Sequence, residues 1–260
     1  MKHLVFTMAA LMIFAVASLT VVAQQIVLDE NFDNVPNGEL PDGWTVLYND
    51  TYNGFDDAAQ KQVPCDPPCP GWQVLDGVLD SGNGDHDREA LFIMVGSGWE
   101  QITVQVDMVR AQGTGYMGTA TNVQPNGDRY DCRFMTGNPG NLLNAEGTND
   151  FDRRGANPVL WLVQRVNGKF TVLAQADNVA DLERGPFHPM EMTANGANLS
   201  CTAAGATVEA TALDALPAGG VGFHNGEYGA FYDSVLVTAV ATSVDPKSKL
   251  AATWGQIKQQ

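Results

Sequence analysis

Val27-Leu28-Asp29-Glu30-Asn31-Phe32-Asp33, continued by Leu40-Pro41-Asp42-Gly43-Trp44, opens the readable part of this chain. Ala230-Phe231-Tyr232-Asp233-Ser234-Val235-Leu236-Val237 answers it near the other end. Both segments alternate apolar with acidic or polar residues, as half-buried strands do. They read as the first and last strands of one closed β-sandwich whose ends meet. Between them turn signals recur roughly every eight to twelve residues, with short strand-like runs in the intervals, which is the all-β pattern.

The clearest interval is Val159–Val166, then Asn167-Gly168, then Lys169–Leu173. Asn-Gly between two such runs is a hairpin signal, because both positions tolerate positive φ. Gln101–Met108 alternates most cleanly, with Ile102, Val104, Val106 and Met108 facing inward. Further strands are expected over Trp72–Leu79, Leu91–Val95, Tyr116–Thr121, Asp128–Met135, Met190–Thr193, Leu199–Ala203, Thr207–Ala210 and Gly220–Phe223. The pattern predicts an all-β, antiparallel jelly-roll sandwich of two sheets. Two stretches break it: 49–70, rich in Asp, Gly and Pro, and 137–157, rich in Gly, Asn and Asp. Both read as long surface loops, where ligand contacts of β-sandwiches usually sit.

The first 23 residues begin Met1-Lys2-His3 and run apolar from Leu4 to Val22, the pattern of a signal peptide cleaved near Ala23. A retained membrane anchor is the competing reading, but no basic stop-transfer cluster follows. The expectation is a secreted or periplasmic protein whose mature part is not embedded in the membrane. The sandwich is expected over 24–242 and a tail over 243–260, in which Leu250, Trp254 and Ile257 share one face of a short helix. The formal charge is −16, from 30 acidic against 14 basic residues. Nucleic acid and anionic lipid are poor partners for such a chain, since phosphate binding needs clustered Lys and Arg.

An even number of cysteines, four, in an exported chain suggests disulfides. Cys65 and Cys69 flank a Pro-stiffened loop and are able to bridge locally. Cys132 alternates with Tyr130 and Phe134, and Cys201 with Leu199 and Ala203, so both face the core, to pair or to pack as thiols.

Three sequence features mark a resemblance: Trp72-Gln73-Val74-Leu75-Asp76-Gly77-Val78-Leu79, the Arg165-Val166-Asn167-Gly168 hairpin, and Gly220-Val221-Gly222-Phe223 followed by Phe231-Tyr232-Asp233. With the opening Phe32-Asp33 and Pro41-Asp42-Gly43-Trp44, the chain resembles the concanavalin A-like lectin/glucanase superfamily over roughly residues 26–240. Within it the chain is most similar to laminin-G-like and 3-keto-disaccharide-hydrolase-like domains. The resemblance implies a fold, and only through the fold a chemistry.

Three chemistries have candidate residues. For calcium, Asn83, Asp85, Asp87 and Glu89 place oxygen donors at alternate positions of a Gly-rich loop, which suits Ca²⁺. Met94 stands where an EF-hand would put its closing Glu, and a solvated acidic turn explains the same residues. The resemblance adds a second candidate, Glu30 or Asp33 with Asp233, where cross-strand carboxylates bonded to backbone are the alternative. For carbohydrate, the candidates are the aromatic faces of Trp72, Trp99 and Tyr116, with Asp131 and Arg133 opposite Tyr130, Cys132 and Phe134. Trp161 and Phe170 read as core; His224 is able to face a cleft with Asn225 and Glu227, but reads first as a solvated turn histidine. For catalysis, the Glu-x-Asp-x-x-Glu strand of laminarinase-type relatives is missing, as are Gly-x-Ser-x-Gly and His-Glu-x-x-His. The sequence thus points to an exported, non-catalytic glycan-binding or adhesion module recognising a glycan or extracellular surface polymer, with Ca²⁺ as its candidate cofactor. A 3-keto-disaccharide-type glycoside hydrolase and an interaction module docking through its tail are the rivals.

Overall fold

The computed structural model describes residues 23–49, 51–56, 61–64, 70–82, 91–110, 115–136, 158–227 and 229–241. Every regular element among them is a strand. The signal segment, the tail with its expected helix, the loop 137–157, Asn83–Glu89, Cys65 and Cys69 lie outside the described residues. None of the described helices, there being none, is long and apolar enough to cross a membrane.

The chain-order strands are β1 (Gln25–Glu30), β2 (Trp44–Asn49), β3 (Tyr52–Asp56), β4 (Lys61–Pro64), β5 (Gln73–Leu75), β6 (Val78–Asp80) and β7 (Leu91–Arg110). They continue with β8 (Gly115–Val123), β9 (Arg129–Thr136), β10 (Val159–Val166), β11 (Lys169–Asp177) and β12 (His188–Asn195). The last four are β13 (Asn198–Ala203), β14 (Ala206–Thr211), β15 (Gly219–Glu227) and β16 (Ala230–Ala241).

All pairings are antiparallel, and β7 belongs to two layers. Its first half, Leu91–Trp99, pairs with β15 and β2; its second half pairs with β12 and β16. One layer therefore runs β11-β10-β9-β8-β15-β7-β2, and the other β14-β13-β12-β7-β16-β1, with the β5–β6 hairpin on β16. β1 pairs β16 through Glu30↔Val235 and Asp29↔Leu236, so the two ends of the domain meet as expected.

The strand pattern was legible but its punctuation was not. Leu91–Val95 and Gln101–Met108 are one strand, because Gly96, Gly98 and Gln101 take positive φ as bulges without ending it. Trp72–Leu79, expected as one strand, is a hairpin turning at Asp76-Gly77 (φ 51° and 79°). Part of the expected 49–70 loop forms the two-stranded β3–β4 hairpin.

The inner faces of the two layers make the main core, with Leu91, Ile93, Phe134, Leu162, Met192 and Phe223 among its buried members. Cys132 on β9 and Cys201 on β13 are bonded across it. Tyr232 of β16 also crosses between layers. Its hydroxyl donates to the His224 carbonyl at 2.5 Å and accepts from the Gly118 amide at 3.2 Å, and burial raises its pKa.

Candidate functional site

The alternation that sends Tyr130, Cys132 and Phe134 into the main core sends Arg129, Asp131 and Arg133 to the other face of the same layer. That outer face is also buried. Tyr116, Met135, Val159, Trp161, Val163 and Phe170 form a second apolar cluster there, separate from the main core. Trp161 and Phe170 are buried core residues as expected, in this second cluster rather than the main one.

Strand register aligns the site into a row across five strands. Trp161 pairs with Arg133, Arg133 with Gly118, Gly118 with His224, His224 with Phe92, and Phe92 with Tyr48 of a sixth. Glycines let the rings lie down on the sheet. A Cβ on Gly222 would sit 2.5 Å from Phe92 Cζ, and one on Gly226 only 2.1 Å from Tyr116 Cε1. The His224 ring lies between these two, 6.3 Å from Phe92 at 10° and 5.7 Å from Tyr116 at 44°.

Above this aromatic strip lies a charged row. Asp131 Oδ1 accepts from Arg129 Nε at 2.6 Å, and its Oδ2 accepts from Arg133 Nη2 at 2.7 Å and Nε at 3.1 Å. The guanidiniums lie over ring faces: Arg129 is 4.1 Å from the Phe92 centroid, and Arg133 is 4.9 Å from Tyr116 and 4.6 Å from Phe170. Arg165 extends the row to the margin, where its Nη2 donates to the half-buried Tyr48 hydroxyl at 3.1 Å. Asp128 serves the adjoining turn, accepting from the Asn167 amide at 2.7 Å.

Burial and charge act against each other here. Burial alone would raise the Asp131 pKa, but Arg129 and Arg133 outweigh it and hold the carboxyl well below the usual carboxylate range. Burial lowers Arg129 to about 10, helped by Arg133 and Arg165 and opposed by Asp131. Burial and the neighbouring Arg133 hold His224 well below the ordinary imidazole value, so the ring is neutral. Its Nε2 stands 3.8 Å from Asp131 Oδ1, and neither ring nitrogen has a hydrogen-bond partner. The nearby Cys132 carbonyl favours the protonated ring without reaching full hydrogen-bond geometry.

The structure thus brings together three of the five expected sugar-contact residues, Tyr116, Asp131 and Arg133. The other two are elsewhere. Trp72 is buried in the main core, 6.0 Å from Tyr232, and Trp99 is half-buried at the bend of β7, its ring in the space that a Cβ on Gly96 would need. His224 is a strand residue and fully buried, not a solvated turn histidine. Arg129 and Phe92 were not singled out by the sequence, and Arg165 only as part of its hairpin. The Arg-x-Asp-x-Arg alternation opposite a clear core face was the signal for Arg129.

Of the cation candidates, Glu30 accepts from the Phe32 amide at 2.8 Å and Asp233 from the Ser234 amide at 2.7 Å, so each holds its own local backbone. Among the described residues no three His, Cys, Asp or Glu side chains gather as a metal site.

No protein-family model matches this chain, and no curated protein does. Solved structures share its fold. The β-glucanase of Bacillus licheniformis is 12% identical, with TM-score 0.50, over 82% of this chain and 97% of that one. The CBM2 module of the evolved Dit of Lactobacillus casei BL23 phage J-1 is 9% identical, with TM-score 0.50, over 85% and 98%. The GH43 protein BlXynB of Bacillus licheniformis is 13% identical, with TM-score 0.50, over 82% of this chain but 39% of that one, so this chain spans under half of its length. Likeness at such identities speaks for the architecture alone: this is a concanavalin A-like jelly roll, shared with carbohydrate-binding modules and glycoside hydrolases.

Proposed function

We propose that this chain is an exported, non-catalytic carbohydrate-binding or adhesion module that takes a glycan at the half-buried edge of the layer, beside Tyr48 and Met94. One observation carries this reading. Strand register collects Tyr116, Phe92, His224 and Trp161 with Arg129, Asp131 and Arg133 on one sheet face. Flat rings beside planar, hydrogen-bonding groups suit the apolar faces and hydroxyls of a sugar. The row itself is buried, so a glycan would meet it only at its half-buried margin, Tyr48 and Met94. Export agrees with the apolar leader at residues 1–23 and with the Cys132–Cys201 bond, which persists in oxidising compartments.

Binding is favoured over hydrolysis by the chemistry of Asp131. Glycoside hydrolysis calls for two carboxyls roughly 5–9.5 Å apart, one with a raised pKa to act as the acid. Asp131 is the carboxylate at the centre of the described face, and two arginines fix it as an anion. It is suited to accepting hydrogen bonds, not to delivering protons.

Tyr48→Ala tests that edge directly, and Tyr116→Ala tests the buried row that supports it. Each is expected to weaken binding of a soluble glycan by tenfold or more in titration calorimetry, from the loss of about 1–3 kcal/mol of ring contact. Unchanged affinity in both, with the fold intact by circular dichroism, would remove the face from consideration. Calcium belongs to the same proposal, held by Asn83, Asp85, Asp87 and Glu89 and supporting the fold. EDTA is then expected to lower the melting temperature and added Ca²⁺ to restore it; a melting temperature indifferent to both rules the ion out.

A further inference from the structure

The outer face of the other layer is open, unlike the face around Asp131. Register sets Asp29 of β1 against Leu236 of β16, Leu236 against Gln105 of β7, and Gln105 against Glu191 of β12. Beside this row Asp107 pairs with Pro189. A groove of about 760 Å³ runs along both rows, and Ile26, 62% exposed, stands at its rim. Its charge has one sign: Asp29, Asp107 and Glu191 line it, and no Lys or Arg among the described residues does. Glu191 accepts from Gln105 Nε2 at 2.7 Å, whereas the Asp29 and Asp107 carboxylates have no hydrogen bond or ion pair among the described residues. Ile26, Leu236 and Pro189 add an apolar surface that water covers poorly. The groove therefore suits an occupant that is both cationic and apolar.

One segment of this chain has that chemistry. Of the five lysines beyond the leader (Lys61, Lys169, Lys247, Lys249 and Lys258), three stand in the tail 243–260, where Asp245 is the one acidic residue. Leu250, Trp254 and Ile257 share one face at helical spacing, and Lys247 and Lys258 stand at the two ends of that stripe. At 1.5 Å per residue these two lysines are about 16 Å apart, and Asp29 and Glu191, three strand spacings apart, about 14 Å. The tail follows on β16, the strand whose Ser234 and Leu236 line the groove. Along β16 the path back from Ala241 to Leu236 is about 17 Å, and the chain from Ala241 to Lys249 can span about 26 Å.

We propose that the tail folds back and docks in this groove of its own sandwich, with Leu250 and Trp254 on the Ile26–Leu236–Pro189 surface and the lysines beside Asp29, Asp107 and Glu191. Exposed ion pairs add little stability, so the apolar side chains supply the grip and the charges choose the place. The inference stands apart from the glycan reading, whose edge at Tyr48 and Met94 lies in the other layer.

The test is limited trypsin digestion of the full mature chain, with the initial rate of cleavage after Lys247 and Lys249 read by mass spectrometry. That rate is expected to be about tenfold or more below the rate in a free peptide of residues 243–260, and independent of protein concentration. Asp29→Asn, Asp107→Asn and Glu191→Gln combined remove the charge at nearly constant shape, and Trp254→Ala removes the apolar anchor. Both variants are expected to be cut almost as fast as the peptide, the first with its melting temperature unchanged. A parent tail cut as fast as the peptide overturns the docking. So does a tail equally protected in the parent and both variants, because another surface then covers it. Protection that grows with concentration, with a doubled mass in light scattering, gives the groove to the tail of a second copy and overturns docking within one chain.

Discussion

Asp131 and His224 are expected to make this protein acid-sensitive, for complementary reasons. The Asp131 carboxyl is pulled below its unfolded value by Arg129 and Arg133, so its stabilising contribution is present above about pH 4 and lost as pH falls further. Burial with Arg133 and Arg129 depresses the His224 pKa below its unfolded value. The unfolded chain therefore takes up a proton below about pH 6.5 that the folded chain refuses, and stability falls as pH drops through that range. The groups facing the imidazole are Asp131, Arg129, Arg133 and the Tyr116 ring. Of these only His224 takes up a proton on unfolding between pH 7 and 5. Denaturant midpoints are expected to fall over this interval in the parent and to stay nearly flat in His224→Phe. An equal slope in both would assign the acid sensitivity to other groups.

At the scale of elements, the period-2 alternation of β9, β10, β12 and β13 was readable because each has one face in the main core. What alternation does not carry is which strands lie side by side. Arg133, Gly118, His224 and Phe92 come from four strands, and β8 and β15, 103 residues apart at the Thr119–Gly222 bond, meet only through register. Punctuation misled as well: β7 was read as two strands parted around Gly96 and Gly98, and the strand holding His224 was expected to end at Phe223. In the fold Gly96 and Gly226 are where rings need room. Gly226→Ala tests this, since its new Cβ would fall 2.1 Å from the Tyr116 ring. The substitution is expected to push the ring off the strip, to cost about 1–3 kcal/mol in chemical denaturation and to weaken glycan binding along with Tyr116→Ala. Full stability and full affinity together would mean that Tyr116 has a second resting place.

At the scale of the whole molecule, the two layers are joined along one side by β7, which runs through both, and on the far side by the Cys132–Cys201 bond between β9 and β13. The alternation of each cysteine with core residues placed both thiols inward, and the facing of β9 and β13 decided that they pair. The bridge closes a loop of 69 residues, for which chain entropy alone gives about 4 kcal/mol of stabilisation. Cys132 is also the residue between Asp131 and Arg133, so the bond holds the floor of the candidate site to the opposite layer. Replacing both cysteines with alanine is expected to lower unfolding stability by about 2–5 kcal/mol. Because the strands flanking β9 keep its register, the fraction that stays folded is expected to bind glycan with parental affinity. Binding lost ahead of the unfolding transition would instead show that the layers must be locked together for the Arg129–Asp131–Arg133 row to hold its shape.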